Sequence, residues 1–68
     1  MSRPASDEQI AQMLTDVSTF EGRVRRLWTE AGQAGDLEQV VLCRHALAGD
    51  EAAREACARV LLETEAQS

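Results

Sequence analysis

The tripeptide Ala-Gly-Asp occurs twice, at residues 34–36 and 48–50, and it divides the chain into helical segments. Glycine readily adopts the left-handed conformation that ends a helix. An aspartate placed just after it accepts hydrogen bonds from the unpaired amides that begin the next helix. The pattern predicts that Gly32 and Gly35 end one helix, that Asp36 caps a second, and that Asp50 caps a third.

Three helices follow from these boundaries, so the expected fold class is all-α. Ser6 and Gln9 have the spacing of a capping box, in which each side chain bonds the backbone amide of the other residue. Residues 1–5 form a polar leader that we expect to be disordered. The bundle is predicted to consist of one long helix over residues 7–31 and two shorter helices over residues 37–48 and 51–65.

The long predicted helix carries apolar residues alternately three and four positions apart from Ile10 to Ala31. This heptad spacing is typical of a helix that packs along one face against another helix. The second predicted helix is apolar on nearly all sides, more than the rest of one small chain can cover. We therefore expect a homodimer, with an interface made of Leu14, Val17, Phe20, Val24, Leu27 and Trp28.

The predicted homodimer is antiparallel, and its long helices cross near Phe20. That register places Asp16 of one chain opposite Arg23 of the other and Leu14 near Trp28, so charged and apolar residues both match. Trp28 has a second interpretation, in which it packs inside the bundle of its own chain. The sequence supports both interpretations of Trp28 equally.

Cys43 and Cys57 lie at similar distances on either side of Gly49. If the second and third predicted helices fold back as a hairpin, the two thiols become buried neighbours. Alternatively, the two helices lie end to end along the long helix, because their combined length of roughly 40 Å would match it. The sequence leaves both arrangements open.

Four arginines carry further hypotheses. Arg44 projects from the apolar arc of the second predicted helix, so either its stem packs while its guanidinium reaches water, or it forms a buried ion pair. Arg23, Arg25 and Arg26 are the one concentrated basic segment. They either complement the negative end of the helix dipole or form a docking patch for an acidic partner.

Cys43, His45 and Cys57 invite a zinc hypothesis, but the ligand spacings of zinc fingers and ribbons are absent. His45 also projects about 160° away from Cys43 around an ideal helix. The same divergence argues against a nucleophilic Cys/His pair. We assign no catalytic, cofactor-binding or metal-binding residue, and we expect neither a cofactor nor an enzymatic activity.

The formal net charge of −5 argues against a general affinity for nucleic acid, because phosphate binding needs clustered positive charge. Seven arginines without a lysine are typical of GC-rich bacterial genes. The chain has two cysteines and no apolar run that suits a signal peptide or a membrane span. These features predict a cytoplasmic protein that does not contact membranes.

The function expected from these features is that of a small regulator, adaptor or inhibitor, which acts by binding another macromolecule, most simply a protein. One alternative is an acidic nucleic-acid mimic that inhibits a DNA- or RNA-binding enzyme. Another is a DNA-binding regulator in which the second and third predicted helices form a helix-turn-helix around Gly49. In that alternative Asp50 and Glu51 would meet the DNA phosphates with negative charge.

Overall fold

A computed structural model describes residues 6–67, which contain four helices and no strand. The helices are α1 (Asp7–Thr15), α2 (Val17–Ala34), α3 (Leu37–Leu47) and α4 (Glu51–Gln67). The all-α fold class is thereby confirmed, whereas the prediction of one long and two shorter helices is not. The predicted leader, residues 1–5, lies outside the described residues.

The long predicted helix is broken at Asp16, whose backbone leaves the helical region at φ −91° and ψ 83°. The Asp16 carboxylate accepts hydrogen bonds from the Thr19 amide at 3.3 Å and from the Thr19 hydroxyl at 2.9 Å. Asp16 is thus the N-cap of α2, a role that favours a break over a continuous helix. The prediction of one helix over residues 7–31 is wrong for this reason.

The predicted caps are present at the other helix starts. Ser6 and Gln9 form the complete capping box of α1. The Asp36 carboxylate accepts from the Gln39 amide at 3.2 Å, and the Asp50 carboxylate accepts from the Ala52 amide at 3.0 Å. Both Ala-Gly-Asp tripeptides therefore act as helix boundaries.

The helix ends differ from the predictions by a few residues. Gly32 lies inside α2, which continues to Ala34 and ends at Gly35, where φ is +75°. Gly49, with φ +99°, occupies the second boundary, and α3 ends at Leu47. Gly35 and Gly49 adopt the left-handed conformation because a residue with a Cβ would be strained there.

The break at Asp16 lets the short α1 fold back across α4, while α2 packs on α3 and α3 packs on α4. The molecule measures 28 × 27 × 18 Å, which is shorter than the roughly 38 Å of an unbroken helix over residues 7–31. Small side chains let the helices approach closely, and the core consists of Ile10, Phe20, Val24, Cys43, Ala46, Ala53, Cys57 and Ala58.

Helices α3 and α4 form a hairpin around Gly49, not an end-to-end pair. Cys43 of α3 and Cys57 of α4 are both fully buried where these two helices pack. The prediction of two buried neighbouring thiols is confirmed.

Candidate interaction surface

The predicted dimer interface is largely used inside one chain. Phe20 is 2% exposed and Val24 is fully buried, because α3 and α4 cover the side of α2 that carries them. A second chain cannot contact side chains that are already enclosed. The prediction that the long helices of two chains cross near Phe20 is therefore wrong. Asp16, which was predicted to face Arg23 of the second chain, instead caps α2 of its own chain.

The other predicted interface residues fall into two groups. Leu14 and Leu27 are half-buried and pack against the core of their own chain. Val17 and Trp28 are more accessible, with 50% and 36% of their surface exposed. Of the six residues, these two retain a sizeable surface that a partner could contact.

Two large apolar side chains of α3 are exposed on one side of that helix, Leu37 at 75% and Val41 at 50%. Leu37, Val41, Arg44 and Ala48 follow one another at spacings of four, three and four residues, so they form a stripe along one side of the helix. Glu38 and His45 border this stripe and are also exposed. We call the surface formed by these six exposed residues the α3 outer face: Leu37, Glu38, Val41, Arg44, His45 and Ala48.

A shallow groove of about 370 Å³ runs along one border of the α3 outer face, between α3 and the start of α4. The groove has an apolar base to which Val41 and Leu42 contribute, and Glu38, His45 and Asp50 stand at its polar rim. Apolar surface surrounded by polar groups is the usual composition of protein interaction sites.

The predicted arginine patch is not a single surface. Arg23 is half-buried in a cleft that α2 forms with α1 and α4, where Asp16 and Leu62 are also found. Arg25 lies two positions later, about 200° around the helix. Arg26 is exposed and approaches Glu30 at 4.0 Å, a surface ion pair within α2.

Arg44 is exposed, so the hypothesis of a buried ion pair does not hold within one chain. Its position on the α3 outer face agrees with the other interpretation, in which the guanidinium reaches water.

The thiols of Cys43 and Cys57 lie together in the core and are inaccessible to solvent. Cys43 and Cys57 are buried neighbours, and the Gln39 side-chain amide donates to the Cys43 sulfur at 3.7 Å. Burial, followed by the charge of Cys43 and the hydrogen bond to it, raises the pKa of Cys57 from 9.0 to about 12. A thiol with a raised pKa is a poor nucleophile, because the thiolate is the reactive form.

His45 does not join this cluster, since it is exposed on the α3 outer face. Within residues 6–64, whose side chains the structure describes, no three histidine, cysteine, aspartate or glutamate side chains are grouped to hold a metal ion.

One contact near the core has no counterpart in the sequence predictions. The Arg54 guanidinium of α4 lies over the Phe20 ring of α2, 5.7 Å from its centroid. This cation–π contact covers one edge of the core. Arg54 also lines an open cleft of about 420 Å³ between α1 and α4, beside Glu51 and Glu55. No periodicity in the sequence signals the pairing, because it joins residues of two helices that are far apart in the chain.

Among the described residues, no helix combines the length and the apolar character that a membrane crossing needs. Comparison with known proteins finds no protein family, curated protein or solved structure that matches this chain.

Proposed function

We propose that this chain is a non-enzymatic interaction protein, a regulator, adaptor or inhibitor that binds a protein partner through the α3 outer face. The observation that carries the proposal is the exposure of Leu37 and Val41, the least covered large apolar side chains of α3. Exposing such side chains on a chain with so small a core is unfavourable unless a partner covers them.

The composition of the α3 outer face favours a protein over a nucleic acid. Its centre is apolar at Leu37 and Val41, and Arg44 is its single arginine, accompanied by the acidic Glu38. Affinity for nucleic acid comes mainly from several cations that contact phosphates. Affinity for proteins comes from buried apolar anchors within a polar border, which is the arrangement on α3.

A cytoplasmic location is part of the same proposal. Cys43 and Cys57 contact each other yet are free thiols. A reducing compartment keeps adjacent cysteines in that state.

Site-specific photo-crosslinking in the native host tests the proposal. A photoreactive amino acid replaces Val41 in one strain and Val17 in another, because both valines are 50% exposed but Val17 lies on α2, outside the α3 outer face. We expect a discrete cross-linked product, identified by mass spectrometry, from position 41 and little or none from position 17. Equal cross-linking at both positions would overturn the proposal.

A further inference from the structure

We infer that the α3 outer face binds a second copy of itself, as an antiparallel α3–α3 pair related by two-fold symmetry with Val41 at its centre. The inference rests on the proposed function and names the partner. A two-fold interface requires a self-complementary surface, in which residue i contacts residue j of the partner and residue j contacts residue i. The α3 outer face meets this requirement.

The two borders of the face differ in chemistry. Glu38 and His45 lie on the border next to α4, since both line the groove between α3 and α4. Leu37 and Arg44 lie on the opposite border, about 100° and 120° from Glu38 around the helix and toward α2. Each border therefore carries two residues, one near each end of α3.

An antiparallel two-fold pair brings like borders together and reverses the order of residues. With Val41 packed on its symmetry mate, Glu38 of each chain faces His45 of the other, and the imidazole N–H can donate to the carboxylate. On the other border, Leu37 of each chain meets the aliphatic stem of Arg44 of the other. All six residues of the face, Ala48 included, are exposed in one chain and are thus free to make these contacts.

A parallel pair is disfavoured by the same residues. Parallel two-fold symmetry brings unlike borders together without reversing the order. It would place the Glu38 carboxylate against Leu37, and the Arg44 guanidinium beside His45. The first pairing offers the carboxylate no hydrogen-bond donor, and the second places a cation beside a group that is itself cationic when protonated, so the surface favours the antiparallel arrangement.

Trp28 extends the interface beyond α3. Trp28 precedes Asp36 by eight residues and Arg44 follows it by eight, so the turn between α2 and α3 places Trp28 and Arg44 at similar levels. Leu37 of the second chain, which meets Arg44, then also approaches Trp28, and Trp28 is 36% exposed. Two short helices of about 16 Å with one flanking tryptophan form a small interface, which is typical of weak or transient association.

Sedimentation of the full chain over the micromolar to millimolar range tests the dimer. We expect a reversible shift from 7.4 kDa to twice that mass as concentration rises. Val41→Glu should weaken association by at least about tenfold, since it replaces a buried apolar contact with a charge on both sides of the axis. Val17→Glu, the control of equal exposure, should leave association unchanged. Circular dichroism checks that both variants keep the helical fold.

A charge exchange tests the register. His45→Glu places two carboxylates together at both ends of the pair and should weaken association. Glu38→Lys combined with His45→Glu restores opposite charges between chains and should recover association. Failure of the double variant to recover would overturn the antiparallel register.

The proposed function and the dimer can fail separately. A wild-type chain that stays monomeric throughout the concentration range, or a Val41→Glu chain that still dimerises, overturns the α3 pair. A cross-link from position 41 to a different protein also overturns the α3 pair as the occupant, while supporting the proposed function.

Discussion

Glycines show most directly how single residues set this fold. Gly35 has φ +75°, whereas Gly32 lies within α2, and outside the backbone of its own helix no atom is within 4 Å of the place where a Cβ would stand. Both glycines were predicted to end the helix, and only Gly35 does. The sequence alone could not show which of the two glycines ends the helix, because this depends on where the chain turns before Asp36.

Gly32→Ala and Gly35→Ala should therefore change stability in opposite directions. Alanine at position 32 should stabilise the protein by about 0.5–1 kcal/mol, since it favours the helix and meets no neighbouring atom. Alanine at position 35 should destabilise it by about 1 kcal/mol, because φ +75° strains any residue with a Cβ. Urea unfolding of both variants measures the difference, and a shift in the same direction for both would contradict the assignment.

Cys57 makes the stability of the protein depend on pH in the alkaline range. Its folded-state pKa of about 12 lies above the ordinary value of 9.0, so the folded state holds the thiol proton more tightly than the unfolded state. The stabilisation is complete below pH 9.0 and is lost progressively as pH rises toward 12.

Comparison of wild type with Cys57→Ala tests this linkage. The variant is less stable at neutral pH, because it leaves a cavity in the core. The difference in the free energy of unfolding between wild type and variant should shrink as pH rises from 9.0 toward 12, because only wild type has a thiol proton at residue 57 to lose. Denaturant unfolding across that range supplies the measurement. If the difference in the free energy of unfolding between wild type and variant stays constant, the Cys57 thiol titrates alike in the folded and unfolded states, which would contradict the prediction.

Helix starts were predictable where a capping residue follows a glycine turn or opens a capping box. The caps at Ser6, Asp36 and Asp50 follow from local hydrogen bonding, which a short stretch of sequence contains in full. The break at Asp16 was missed because a continuous heptad pattern passes through it. Asp16 followed by Thr19 is the local signal of the break, and after it α1 packs on α4.

Asp16→Ala tests the importance of this break. Loss of both hydrogen bonds to Thr19 should cost about 1 kcal/mol of stability, the usual cost of removing an N-cap. Ser18→Ala, two residues away on the exposed side of α2, serves as the control and should be nearly neutral. Thermal unfolding compares the two variants. An unchanged or higher melting temperature for Asp16→Ala would mean that packing alone sets the break.

The packing of the whole molecule explains why the sequence alone could predict only part of the candidate site. The composition of the second predicted helix indicated that one chain could not cover all of its apolar residues. Leu37 and Val41 are the large apolar residues of this helix that stay exposed. Which apolar residues stay outside could not be read from the sequence, because Phe20 and Val24 are equally apolar yet face inward. Only the packing of α2 against α3 and α4 decides this.

The central claim is that the α3 outer face is the surface through which this protein acts. Residue-resolved amide NMR of the isotopically labelled chain, compared between a dilute solution, a concentrated solution and a lysate of its native host, tests the claim most directly. We predict that the signals of residues 37–48 and the Trp28 indole broaden or shift, while those of Val17 and Gly22 on α2 stay unchanged. Changes centred on α1, on α4 or on the exposed side of α2, with α3 unaffected, would contradict the claim.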